Sequence, residues 1–184
     1  MKKNIAVLLA ISALLSVLVL SGCSVSGVEV PDGMKVVSSE NEAFYLFVPI
    51  SWVSNDSSGT ASAYYSDADR SNVSMTCMAS DQVMNIDDYV ALCRAELEAV
   101  IPNYAPAGEI EDAVLGGRNG KSFDYTASIG DVNYKYRQIV VIYNNLFYIF
   151  TYTSTPEGFD LHINEVENII SKIRSPIKRD SQEG

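Results

Sequence analysis

The sequence predicts an α+β domain in which an antiparallel β-sheet of about six or seven strands is sandwiched between helices. Three observations predict it. Segments with period-2 alternation recur between turn signals from residue 44 to residue 153, whereas 87–101 and 157–174 repeat apolar residues at helical spacing. The hairpin around Asn144-Asn145 is apolar on both faces near its turn, so both faces need cover. A chain of 184 residues, 47% of them hydrophobic, accommodates one such domain plus its termini.

Residues 44–48, Phe-Tyr-Leu-Phe-Val, read as the first strand, stopping at Pro49 because proline cannot donate to the ladder. Strands 61–66 and 72–79 follow, joined around Asp67-Ala68-Asp69. In the second, Val73, Met75 and Cys77 face one way and Ser74, Thr76 and Met78 the other. Asn85 or Asp87 then caps a helix to about Ile101, with Asp87 and Asp88 in the first turn, where carboxylates complement the helix dipole. Its stripe of Ile86, Val90, Cys93, Leu97, Val100 and Ile101 must cover a sheet. Pro102 ends it.

Strands 109–115 and 121–127 are linked by the turn Gly116-Gly117-Arg118-Asn119-Gly120. These glycines are not a phosphate loop, because no Lys-Ser/Thr pair stands at the required place and no helix begins there. The main hairpin joins 134–143 to 146–153, since asparagine tolerates the positive φ of a two-residue turn. Its register pairs Tyr143 with Leu146, Val141 with Tyr148, Ile139 with Phe150 and Arg137 with Tyr152 on one face. The other face pairs Ile142 with Phe147, Val140 with Ile149 and Gln138 with Thr151. A closing helix over 157–174 presents Phe159, Ile163, Val166, Ile170 and Ile173, with Thr155-Pro156 as a suitable start.

The chain carries 13 basic and 23 acidic residues and one histidine. Past the first 22 residues, whose only charges are Lys2 and Lys3, the net charge is −12. Nucleic acid is thereby disfavoured as a partner, since phosphate binding needs a basic footprint. A lone histidine and few cysteines leave little for a zinc site or a histidine-based triad, and no cofactor is expected.

The amino terminus carries the most specific motif. Lys2 and Lys3 precede an uncharged apolar run over 5–20, the pattern of a secretory signal. The run ends in Leu20-Ser21-Gly22-Cys23, which resembles the bacterial lipobox. That resemblance implies cleavage before Cys23 and diacylglycerol on its sulfur. The competing reading is an uncleaved membrane anchor, residues 5–22 being near the shortest span. The organisation is therefore a signal peptide (1–22), a lipidated cysteine with a flexible tether (23–35), a globular domain (36–174) and a polar tail (175–184).

Two acyl chains suffice for stable anchorage, at about 0.8 kcal/mol per CH₂ buried. Ten tether residues have an r.m.s. reach of about 18 Å and a contour limit near 35 Å. The expected location is the outer face of a bacterial cytoplasmic membrane, with the acidic domain held off anionic lipid. In that setting the N-glycosylation patterns at Asn55 and Asn72 are chance matches.

The order of elements resembles the Mog1/PsbP-like fold, which includes bacterial lipoproteins related to the DcrB group. The resemblance spans roughly 36–174 and rests on Phe44-Tyr45-Leu46-Phe47-Val48-Pro49-Ile50-Ser51-Trp52, the paired strands 136–143 and 146–153, and the closing helix around 159–173. It implies the fold and a non-enzymatic binding or assembly module, some members serving a photosystem and some a small GTPase. It assigns no functional residue.

Five features are candidates for chemistry. Cys77 and Cys93, on the inward sides of a strand and of the helix stripe, form either a disulfide or two buried thiols. His162 is a candidate general base without an evident nucleophile. Asp67-x-Asp69-x-Ser71 begins like a calcium loop but lacks the glycine and the final glutamate of an EF-hand. Tyr134, Tyr136, Arg137 and Tyr152 gather at the end of the main hairpin away from its turn, as a recognition surface or as the shielded rim of the core. Acidic side chains supply the fifth.

The resulting expectation is a membrane-anchored extracytoplasmic lipoprotein acting as a non-enzymatic binding or assembly module. The alternatives are a cell-envelope hydrolase, marked by paired carboxylates lining a pocket, and a small-ligand carrier, marked by a large enclosed apolar cavity.

Overall fold

The computed structural model describes residues 29–37, 44–55, 61–79 and 85–175. The apolar run, Cys23, the first part of the tether to residue 28 and the tail from 176 onwards lie outside the described residues.

The elements in chain order are β1 (Met34–Val36), β2 (Phe47–Pro49), β3 (Val53–Ser54), β4 (Ala61–Tyr64), β5 (Asn72–Ala79), α1 (Ile86–Val100), β6 (Ala105–Pro106), β7 (Glu111–Leu115), β8 (Arg118–Ile129), β9 (Val132–Tyr143), β10 (Leu146–Ser154) and α2 (Pro156–Lys172). Eight of the strands form one antiparallel sheet in the order β3-β4-β5-β10-β9-β8-β6, with β7 also paired to β8. The sheet exceeds the expected six or seven strands because β3 and β6 are two residues long. Alternation cannot register in so short a segment.

The main hairpin has the register read from the sequence, from Leu146↔Tyr143 to Tyr152↔Arg137. Asn144 and Asn145 adopt φ of 50° and 62°, the positive values a twisted two-residue turn requires. Between β7 and β8 the turn contracts from the expected five residues to Gly116-Gly117, at φ 58° and 79°. Leu115 consequently pairs with Arg118, and β8 begins three residues earlier than expected.

The segment 44–48 departs further from expectation. It is not in the main sheet. β2 pairs with β1, Met34 opposite Pro49, as a separate two-stranded ribbon. Met34 and Lys35, placed in the tether by sequence, thus belong to a strand. All five residues 44–48 are buried, because the ribbon lies over the same sheet face as α2. Phe44, Leu46 and Val48 share one core with Val73, Phe150, Val166, Ile169 and Ile173, and the Tyr45 N–H donates to the Arg174 carbonyl at 2.7 Å.

The opposite face packs Phe123, Tyr125, Val140, Phe147 and Ile149 beneath Val90 of α1. Asn85 is the N-cap, its side chain accepting from the Asp88 N–H at 2.9 Å. Val100, assigned to the covering stripe, is exposed instead. At 100° per residue it lies about 80° round the helix from Val90, off the stripe that Leu97 continues.

Candidate functional site

The first turn of α2 is seated on the sheet through polar atoms. Thr155 caps the helix by accepting from the Gly158 N–H at 3.2 Å, and Pro156 supplies the preset φ of the first turn. Because Thr153 pairs with Asn72, the adjoining Ser154 and Ser71 come together beneath that turn, with hydroxyls 2.7 Å apart. Ser71 donates its hydroxyl to Asp69 Oδ1 at 2.6 Å and its N–H to the same oxygen at 2.9 Å. The Ser71 proton being so used, Ser154 donates to Ser71.

The second carboxylate oxygen of Asp69 faces His162 Nε2 at 2.7 Å. An ionised carboxylate only accepts, so Nε2 carries a proton. Tyr65 lies against the imidazole, ring centroids 4.1 Å apart, and the buried Trp52 meets Tyr65 edge-on. Tyr152 closes the other side, its hydroxyl donating to the carbonyls of Gly158 and Phe159 at 3.1 and 3.2 Å. A Cβ on Gly158 would overlap Ser154 Oγ, so glycine is what lets the helix sit this close.

Burial pushes the Asp69 carboxyl upward, but the Ser71 hydroxyl and amide and the His162 ring outweigh it. The carboxyl is held below the ordinary carboxylate value. Burial raises the Tyr152 hydroxyl to about 12, keeping it a donor. The carboxylate is therefore the centre of a Ser154–Ser71–Asp69–His162 chain. A serine–histidine–aspartate triad needs the imidazole between carboxylate and hydroxyl. Here His162 spends Nε2 on Asp69, and both serines are buried. Chemically the arrangement is a clamp that fastens the β4–β5 turn to α2.

Beside it, Arg137 binds Asp124 through two nitrogens at 2.8 and 3.0 Å and reaches Glu167 on α2. The Asp124 hydrogen bond, ahead of the burial that opposes it, lifts the guanidinium further above its ordinary range. Lys135 pairs with Asp160 at 3.3 Å and sits over the Phe159 ring. These pairs join α2 to β8 and β9.

The structure corrects three expectations. Tyr134, Tyr136, Arg137 and Tyr152 do not form one surface. Alternation along β9 puts Tyr134 and Tyr136 on the α1 face, where Tyr136 stacks on Tyr125 at 4.7 Å. Arg137 and Tyr152 lie on the α2 face, with Tyr152 wholly buried. Cys77 and Cys93 are both free. Cys77 follows Val73 and Met75 on the α2 face and is exposed, whereas Cys93 belongs to α1 and packs against the opposite face, so the sheet separates them. Burial raises the Cys93 thiol, with Glu96 adding to it. Third, the Asp67–Ser71 stretch is committed to internal bonds. Asp69 holds Ser71 and His162, and Asp67 pairs with Arg70 at 3.3 Å.

Among the described residues, no three His, Cys, Asp or Glu side chains converge as a metal-binding group. A groove of about 390 Å³ beside β7 is lined by Asp112, Ala113, Val114, Asn119 and Gly120, and Asp112 is held by Lys121 at 2.9 Å. A second, of about 300 Å³ between α1 and β6, contains Arg94, Glu98 and Tyr104. Both are open at the surface. The serine seat escaped the sequence reading, although Gly158 inside a helical pattern is the signal that marks such a close approach.

No family model and no curated protein matches the chain. Solved structures do. A solution structure of cyanobacterial PsbP from Synechocystis superposes with a TM-score of 0.60 at 13% identity, over 85% of this chain and 99% of that one. LpqN of Mycobacterium tuberculosis, described as involved in cell envelope biogenesis, matches with 0.55 at 14%, over 78% and 91%. The Ran-binding protein Mog1p of Saccharomyces cerevisiae matches with 0.52 at 6%, over 77% and 95%. At these identities the likeness is one of fold.

Proposed function

The domain has the Mog1/PsbP-like fold, and we propose that it serves as a membrane-anchored, extracytoplasmic, non-enzymatic binding or assembly module. One observation carries this reading: a basic start and an apolar run end in Leu20-Ser21-Gly22-Cys23, and the residues past Gly22 carry a net charge of −12. Two acyl chains on Cys23 hold such a domain at the membrane and raise its concentration toward membrane partners into the millimolar range without added contacts. The internal chemistry agrees with this role. The histidine, the arginine of the main hairpin and their carboxylates are spent on holding α2 to the sheet. LpqN, of the same fold, is described as involved in cell envelope biogenesis, which supports an envelope role here.

Cell fractionation of a Cys23→Ser variant tests the reading. The variant is expected in the medium or as uncut precursor, with wild type in the membrane fraction. Unchanged membrane attachment of the variant contradicts lipid anchorage.

A further inference from the structure

The topology collects exposed apolar side chains at the end of the domain where the chain enters it. Gly33 is the entry point, and its carbonyl accepts from the Ile50 N–H at 3.0 Å. The turn at Ile50 leads to Trp52, which touches Tyr65 beside the α2 clamp, so it lies at the Ser154 end of the sheet. The β8–β9 hairpin projects at that same end. Ser154 pairs with Lys135, and β9 runs on to Val132, opposite Ile129 across Gly130-Asp131. The end of α1 docks there as well, since the Ser128 N–H donates to the Pro102 carbonyl at 2.9 Å. Leu161 lies in the first half of α2, on the helix segment seated at this end.

Ile50, Val100, Ile129 and Leu161 are between 63% and 74% exposed, and Val132 is exposed beside them. They are single side chains spread along a rim rather than a contiguous patch. A protein partner needs a packed, continuous core of contact, whereas a flat lipid interface accepts separate apolar points. The length of the connecting chain selects the same occupant. Gly33 lies ten residues after Cys23, at most about 35 Å away when fully extended. The Asn144-Asn145 end lies about 30 Å further along β10. Turning that end to the membrane would demand an almost fully stretched connection.

We propose, in place of the expected stand-off of the acidic domain, that the rim formed by Ile50, Ile129, Val132, Val100 and Leu161 rests end-on against the bilayer that holds the lipid of Cys23, leaving the Asn144-Asn145 end outward. This rests on the lipid-anchor reading above. The test uses the mature protein extracted from membranes and reconstituted into phosphatidylcholine vesicles whose acyl chains carry bromine, a short-range quencher of tryptophan. Ile50→Trp, Ile129→Trp and, at the far end, Val114→Trp are compared with wild type, whose single Trp52 is buried and sets the baseline.

The added emission at positions 50 and 129 should be largely lost and that at 114 retained. Flotation of the same samples is read first. Protein that does not float overturns the anchor and the contact together. Protein that floats with all three reporters unquenched, or all quenched alike, overturns the end-on contact alone.

Discussion

Asp69 ties three segments together, so its ionisation should be visible in stability. Its folded-state carboxyl lies below the ordinary value of about 3.9. The stabilisation is therefore complete above that value and lost as pH falls through the lower folded value. In acid unfolding followed by circular dichroism, Asp69→Asn is expected to lack this component and to be less stable near neutrality. An unchanged acid profile would remove the clamp from the account. His162→Ala removes a buried ring and its hydrogen bond to the half-buried Asp69 carboxylate, and is expected to cost about 1–3 kcal/mol in urea unfolding.

The cysteines make a second prediction at this scale. Cys77 should react readily with a maleimide under native conditions and Cys93 only slowly, with no mass change on adding reductant. A single unreactive pair released by reductant would contradict the separation of the two thiols by the sheet. The alternation of residues 72–79 groups Cys77 with Val73 and Met75 but does not say which helix covers that face, so the separation was not legible. The aromatic grouping failed because position along a hairpin says nothing about which face a side chain occupies.

Among the elements, α2 depends most on one small residue. Gly158→Ala should gain up to about 1 kcal/mol of helix propensity, yet its Cβ collides with Ser154 Oγ. Ser154 cannot rotate away without losing Ser71. The net result is expected to be destabilisation by about 1–3 kcal/mol, measured by thermal unfolding, with partial recovery in Gly158→Ala/Ser154→Ala. A Gly158→Ala protein as stable as wild type would mean that the helix is not seated as described. The long strands and both helices were legible because period and turn residues agree over many positions. β1, β3 and β6, each two or three residues long, were not, and the ribbon's departure from the sheet was hidden because 44–48 is apolar at every position. Such a run fits a ribbon packed on a sheet face beside a helix as well as a central strand.

For the molecule as a whole, the fold and the charge act on different questions. The fold positions the rim beside the incoming chain, and the charge sets which lipid it tolerates. Asp32, Asp131 and Glu157 stand at or near that rim, so quenching at position 129 should weaken as phosphatidylglycerol replaces phosphatidylcholine and return with added salt. Stronger quenching with phosphatidylglycerol at low salt would contradict that charge argument. Partner identity was not legible, because the polar constellations the sequence offered are consumed inside the domain. The lipobox-like pattern at Leu20-Ser21-Gly22-Cys23 is contiguous and needs no folding to be read, and it lies outside the described residues. Intact-mass and N-terminal fragment analysis of the mature protein purified from bacterial membranes tests the account most directly. A chain beginning at Cys23 and carrying diacylglycerol on its sulfur is the expected result, and a chain beginning elsewhere, or an unmodified Cys23, would contradict it.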